Sequence, residues 1–355
     1  MSAPCATTRL PPEWAPQQAV LLAWPRAAGD FGADLAAAEA ELATLARHIA
    51  ARQGVRVVVP GAVERSRAVA ALERAGAGGV QLSEVPCDDI WIRDYGPLTT
   101  VDDAGGGTLV DYRFNGWGGK YPAARDDAVT AALHEAGTFD GIRLAPLPFV
   151  VEGGNIEVDG HGGLLANRRC LLDPLRNPPE SDAALLDSLQ QHLGVQRVML
   201  VDCPPLPGDD TDGHIDTLAR FCAPDLIAWT APARGRREPL LDSPLEALRE
   251  QLAALRTAAG TPYRLLALPL PDRLPDHDGD ALPANYANFL IVNGAVLVPA
   301  YGDPADARAC TALAGAFPQR DIIAVPAAHL IRQRGGPHCA SMQIPRTSPE
   351  RNPHT

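Results

Sequence analysis

Four short stretches of this 355-residue chain hold polar side chains in patterns that a plain strand or loop does not need. They are CDDIWIRDYGP (87–97), EGGNIEVDG (152–160), DDTDGHIDTLARF (209–221) and GGPHCASMQIP (335–345). On an extended backbone, GHID puts His214 and Asp216 on one face and Ile215 on the other. An imidazole beside a carboxylate makes a proton-transfer residue held in one tautomer; the plain alternative is an exposed polar pair. In WIRDYGP, Trp91, Arg93, Asp94 and Tyr95 crowd ahead of the Gly96-Pro97 turn, either as a functional group or as a surface turn with an Arg–Asp pair. Glu152 follows the apolar FVV at a predicted strand end, a common place for a functional carboxylate in an α/β protein, although EGGNIEVDG also reads as a hairpin. Cys339 is either a thiol nucleophile or a small buried hydrophobe. If it shares a strand with His338, the two side chains point apart. Its base then comes from elsewhere, and His214 is the best equipped.

A metal site built on Asp210, Asp212, His214 and Asp216 competes with this reading. DDTDGHID resembles part of a calcium loop, but Gly208 stands where the first acid belongs and no glutamate closes the loop. His161 and His329 are isolated and read as loop histidines. Two or three further ligands are missing, so no metal is expected.

The elements that must position these groups alternate along the whole chain. Leu35, Leu42, Leu45 and Ile49 share one face of a helix predicted over about 33–52. Leu185, Leu186, Leu189 and Leu193 do so after Ser181, a predicted N-cap, with Gly194 as the stop. Weaker helical patterns cover 63–76, 126–136, 243–257 and 304–316. Between them lie the β-rich runs VRVVVP, GTLVDYRF, PFVVEGGNIEVDG, RVMLVD, GHIDTLARF, YRLLALPLP, NFLIVNGAVLVPA and RDIIAVPA. This alternation predicts an α/β fold. Glycine turns such as FLIV-NG-AVLVP predict hairpins, so the pattern is that of a repeated strand–strand–helix unit. LPLPDRLPDHDGDALP (268–283) reads as an exposed loop and 346–355 as a mobile tail, leaving one domain over 1–345.

A hydrophobic content of 46% is ample for a large core, and the net charge of −12 makes nucleic acid and anionic membranes unlikely partners while favouring a cationic ligand. The start has no apolar core of signal-peptide length, and the seven cysteines include no CxxC pair, so a reduced cytoplasmic protein is expected. A homo-oligomer is compatible with the sequence, which shows no interface signature.

Taken together, PPEWAPQQAVLLAWP, DDIWIRDYGP, YRFNGWGGKYP, VEGGNIEVDGHG, CLLDPLRNP, DDTDGHIDTLARF, YANFLIVNGAVLVPAYGDP and GGPHCASMQIP resemble, in order and spacing, the agmatine deiminase and bacterial-type peptidylarginine deiminase family of guanidine-modifying enzymes. The resemblance implies a five-bladed α/β propeller of the pentein kind and a hydrolase with neither metal nor cofactor. It implies Cys339 as nucleophile, His214 as general acid/base, Glu152 as the residue orienting it, and Asp94 and Asp216 as the carboxylates that clasp a guanidinium. Trp91, Asn288 and Asp210 are implied as pocket residues. The implied substrate is a small cationic guanidine: agmatine giving N-carbamoylputrescine and ammonia, or else free arginine, peptidylarginine or a derivative. A metal-dependent amidohydrolase and a non-catalytic guanidine-binding protein are the readings from other classes. The chain departs from the commonest family pattern at Pro337, Asp212 and Thr217, and IRQR ahead of the cysteine loop carries Arg332 and Arg334.

Overall fold

The computed structural model describes residues 8–347, apart from 140, 233–237, 272–273 and 275–278. The predicted tail and the middle of the 268–283 loop therefore lie largely outside the described residues. The chain is mixed α/β, with five separate sheets of three or four strands among the described residues. Four of them repeat one construction: an antiparallel pair, then a helix that carries the chain to a third strand parallel to the second.

In the first, Leu98–Asp102 pairs with Gly107–Arg113, and Val129–Glu135 crosses to Arg143–Val150. Thr8–Arg9 adds a fourth strand at its edge. In the second, Glu157–Val158 pairs with Gly163–Asn167, and Asp182–Leu193 crosses to Arg197–Val201. The third joins Ala219–Ala223, Leu226–Thr230 and Arg264–Leu268 through Pro239–Ala254. The fourth joins Leu290–Val292, Ala295–Ala300 and Asp321–Pro326 through Ala305–Ala316. The fifth is assembled from both ends of the chain. Ser341–Pro345 lies antiparallel to Gln17–Ala23, which runs parallel to Gly54–Val59 and then Val80–Glu84 through helices Leu35–Ala50 and Ala62–Ala75. The predicted strand–strand–helix repeat is thus present, and the 33–52 stripe of Leu35, Leu42, Leu45 and Ile49 is buried throughout.

Some local expectations fail for identifiable reasons. Ser181 caps nothing with its side chain, because its hydroxyl donates back to the Pro178 carbonyl. GHID is not extended: His214 precedes a single helical turn, Ile215–Leu218, and the strand begins only at Ala219. A period-2 reading cannot distinguish these, since a four-residue turn is too short to show its own period.

The interior also holds charge. Arg220 is fully buried, paired with Glu157 and Glu13, donating to the carbonyls of Ala287 and Phe289, and lying over the Phe289 ring. Glu13 also accepts from Arg93, Gln343 and His338, so a single carboxylate joins the N-terminal segment to three distant parts of the chain. Burying such ions is tolerated only because each is paired and hydrogen-bonded.

Candidate active site

Each of the five sheets contributes one segment to the site, and each segment occupies the same place, just ahead of the first strand of its antiparallel pair. Asp94 lies on the helical turn Ile92–Tyr95 before Leu98, and Glu152 precedes the turn Gly153–Asn155 and then Glu157. His214 and Asp216 precede Ala219, Asn288 precedes Leu290, and Cys339 precedes Ser341. This repeated placement brings together residues far apart in sequence.

Glu152 and His214 form one arm, with Glu152 Oε2 2.7 Å from His214 Nε2, both fully buried. Arg176 grips the same carboxylate through Nε at 2.8 Å and Nη2 at 2.9 Å, a bidentate pair, and Cys170 Sγ lies 3.3 Å from Oε2. Burial opposes ionisation of Glu152, but Arg176 and His214 outweigh it and hold the carboxyl at about 2. Burial likewise opposes an imidazolium at His214, but Asp94 and the bond to Glu152 outweigh it and raise the His214 pKa well above its usual value. His214 Nδ1 faces Asp94 Oδ1 at 3.6 Å and has no hydrogen-bond partner among the described residues.

Asp94 accepts from the Gly154 amide at Oδ1 and from Trp117 Nε1 at Oδ2, each at 2.9 Å. Burial raises its pKa to about 6 despite the neighbouring His214. Gly154 is required by this packing: a Cβ there would lie 2.6 Å from His214 Nδ1 and 2.7 Å from Asp94 Oδ1.

The thiol forms the other arm. Residues 337–340 are a turn and not a strand, with the Ala340 amide bonded to the Gly336 carbonyl. His338 and Cys339 therefore do not point to opposite faces. Both reach the same atom, Asp216 Oδ2, with His338 Nδ1 at 2.7 Å and Cys339 Sγ at 3.5 Å. His338 is not free to act as a base, because its Nε2 is 2.7 Å from Glu13 Oε1. Burial opposes ionisation of Asp216, but the His338 hydrogen bond and charge lower its pKa; Asp216 Oδ1 is buried without a hydrogen-bond partner among the described residues. Asn288 Nδ2 lies 3.0 Å from Cys339 Sγ, and its Oδ1 accepts from the amides of His338 and Cys339. Burial first, then Asp216 and Asp94, push the Cys339 thiol well above its usual range.

Cys339 opens onto a cleft lined by Trp91, Asp94, Trp117, Asp210 and Arg334 among others. Asp210 lies at this cleft, with its Oδ2 2.8 Å from the Tyr121 hydroxyl, and Trp91 packs against Gly335. The three non-glycine residues with left-handed backbone among the described residues, Trp117, Asp212 and Arg334, all belong to this region.

The surface-turn reading of WIRDYGP fails, since Trp91, Arg93 and Asp94 are all buried. Arg93 and Asp94 are no pair: Arg93 turns to Glu13 and Gln343 while Asp94 turns to the site. The four candidate metal ligands are not brought together either, for Asp212 is committed to Lys120 and Arg176. Among the described residues, the donor groups close enough to share an ion are Glu152–Cys170–His214 and Glu13–Glu157–His338. In each the carboxylates are already paired with a guanidinium, from Arg176 or Arg220. His329 is tied to Glu41, and His161 is exposed on a loop. Sequence reasoning gave no role to Arg176, Trp117, Glu13 or Cys170. Arg176 and Trp117 sit in the LRNP and NGWGG stretches, whose residue types carried no spacing that pointed to a site.

The chain matches the family model described as Porphyromonas-type peptidyl-arginine deiminase over residues 9–345. It is 33% identical to the agmatine deiminase of Stutzerimonas stutzeri, over 95% of each chain. Its fold matches the substrate-bound agmatine deiminase of C. jejuni with a TM-score of 0.87 at 28% identity, covering 98% of this chain and 99% of that one. An agmatine deiminase structure from Enterococcus faecalis gives a TM-score of 0.86 at 28% identity, over 96% of both.

Proposed function

Because the chain belongs to the Porphyromonas-type peptidyl-arginine deiminase family, we propose that it hydrolyses the guanidinium of agmatine to N-carbamoylputrescine and ammonia. The observation that carries this reading is a pair of buried polar atoms without hydrogen-bond partners among the described residues, Asp216 Oδ1 and His214 Nδ1, beside a thiol and a second carboxylate. Buried polar atoms are normally satisfied. A planar guanidinium offers N–H groups to Asp216 and Asp94, and its departing nitrogen takes a proton from His214 Nδ1.

In this reading Cys339 attacks the guanidinium carbon as thiolate. The substrate's positive charge offsets the two carboxylates that otherwise hold the thiol protonated. The tetrahedral adduct expels ammonia as His214 gives up its proton, leaving a covalent thiouronium on Cys339. Neutral His214 then takes a proton from water as the water attacks the same carbon, and collapse of that adduct frees the ureido product and Cys339. Glu152, kept ionised by Arg176, steadies the imidazolium through Nε2. Asn288 holds the nucleophile, Trp91 walls the cleft, and Asp210 receives the far-end ammonium. The five sheets are read as five propeller blades around this centre, within one catalytic domain over 1–345 that works in the cytoplasm. Among the described residues no helix is long and apolar enough to cross a membrane.

The test is incubation with agmatine, assaying ammonia and N-carbamoylputrescine, with and without a chelator. Turnover that survives the chelator and falls at least about 10³-fold in Cys339→Ala and His214→Ala is expected. Turnover of another guanidine but not agmatine would refute the substrate and spare the chemistry. Variants that retain turnover would refute the site.

A further inference from the structure

The cleft that exposes Cys339 carries an internal cation. Arg334 ends the short turn Leu330–Gln333 in left-handed backbone, at φ 67, a conformation an arginine adopts only at a cost. From there its Nη1 lies 3.5 Å from Asp210 Oδ2, the oxygen that also accepts the Tyr121 hydroxyl. The loop bearing Asp210 is anchored from behind, with Lys120 Nζ 2.6 Å from the Asp210 carbonyl and 2.7 Å from Asp212 Oδ2. Lys120 thus holds the Asp210 backbone and the Tyr121 hydroxyl holds its carboxylate, whereas Arg334 is the more exposed partner, with 41% of its side chain exposed against 31% for Asp210.

We propose that Arg334 is a specificity-determining residue that competes with the substrate's far-end cation for Asp210. The inference rests on the guanidine-hydrolysing reading of this cleft. A substrate with an ammonium at its far end must displace the Arg334 guanidinium before it gains Asp210. A guanidine without far-end charge meets no such competition. Because the pair is half-exposed and 3.5 Å long, the handicap is modest, on the order of threefold.

Arg334→Gln tests this, since glutamine keeps the backbone cost and removes only the charge. The ratio of kcat/KM for agmatine over that for propylguanidine is expected to rise about threefold. Arg334→Lys should restore the original ratio, and in an Asp210→Asn background Arg334→Gln should leave the ratio where it was. A ratio that stays level or falls in Arg334→Gln, or a rise that persists without Asp210, would overturn the proposal. If the wild-type protein turns over neither compound, the hydrolase reading fails on its own. The inference is then read from alkylation of Cys339, with Cys339→Ala as control. The rate with cationic 2-bromoethylamine relative to neutral iodoacetamide should rise about threefold in Arg334→Gln, again only when Asp210 is present. An unchanged alkylation ratio would overturn it there as well.

Discussion

In the proposed mechanism Asp94 sets the acid limit of the site. Its carboxyl is held at about 6, above the usual carboxylate range, because burial disfavours the anion more than His214 supports it. As pH falls through about 6, Asp94 takes up a proton and loses its charge-assisted hold on a guanidinium. The KM for agmatine is expected to rise on acidification from pH 7 to 5, and Asp94→Asn should have a high KM at both. A pH-independent KM in the wild type would show that Asp94 does not clasp the substrate. Glu152 behaves oppositely. Its pKa is depressed to about 2, so the stability it adds is fully present above the unfolded value of ~4.5 and is lost as pH falls toward 2. At this scale the five candidates Cys339, His214, Asp216, Asp94 and Glu152, which the structure places together, were legible only through the family resemblance, since residue types alone left Cys339 as readily a small buried hydrophobe. Their partners were not. Arg93 read as the mate of Asp94 from adjacency alone, whereas on a helical turn neighbouring side chains leave in different directions.

Between residues and the whole lie the short turns that present them. Each site segment is a few residues of turn ahead of a strand, so the strand fixes where the chain goes and the turn fixes where the side chain aims. Gly154 belongs to such a turn. Gly154→Ala is expected to push His214 away from Asp94 and to cost turnover at least about 10²-fold, for about 1 Å of misplacement. Circular dichroism should show the fold retained; turnover at the wild-type level would mean that the packing is slack. Strand and helix positions in the repeating units were largely readable, since hairpin glycines and leucine spacing are local signals. The turns were not, because three or four residues carry no periodicity. That is why GHID and GPHC both looked extended.

At the scale of the molecule, the buried charge around Arg220 holds separate sheets in register. Arg220→Met leaves Glu13 and Glu157 without that partner in the interior and is expected to destabilise the fold by about 3–5 kcal/mol in urea melts. A loss below about 1 kcal/mol would show that water or rearrangement replaces the arginine. No local pattern in the sequence announced this network, since Glu13, Arg93, Arg220 and the pair His338 and Gln343 come from four separate stretches. The pairing of Ser341–Pro345 with Gln17–Ala23 sets Ser341 opposite Leu22. During synthesis on the ribosome, the early strand must wait for its antiparallel neighbour until the helices and strands between them in the sequence have been made. The thiol arrives with that late neighbour, so a nascent chain can have folded helices and three of its carboxylates in place and still be chemically inert. On the proposed role of Cys339, activity therefore reports that translation has passed Ser341–Pro345.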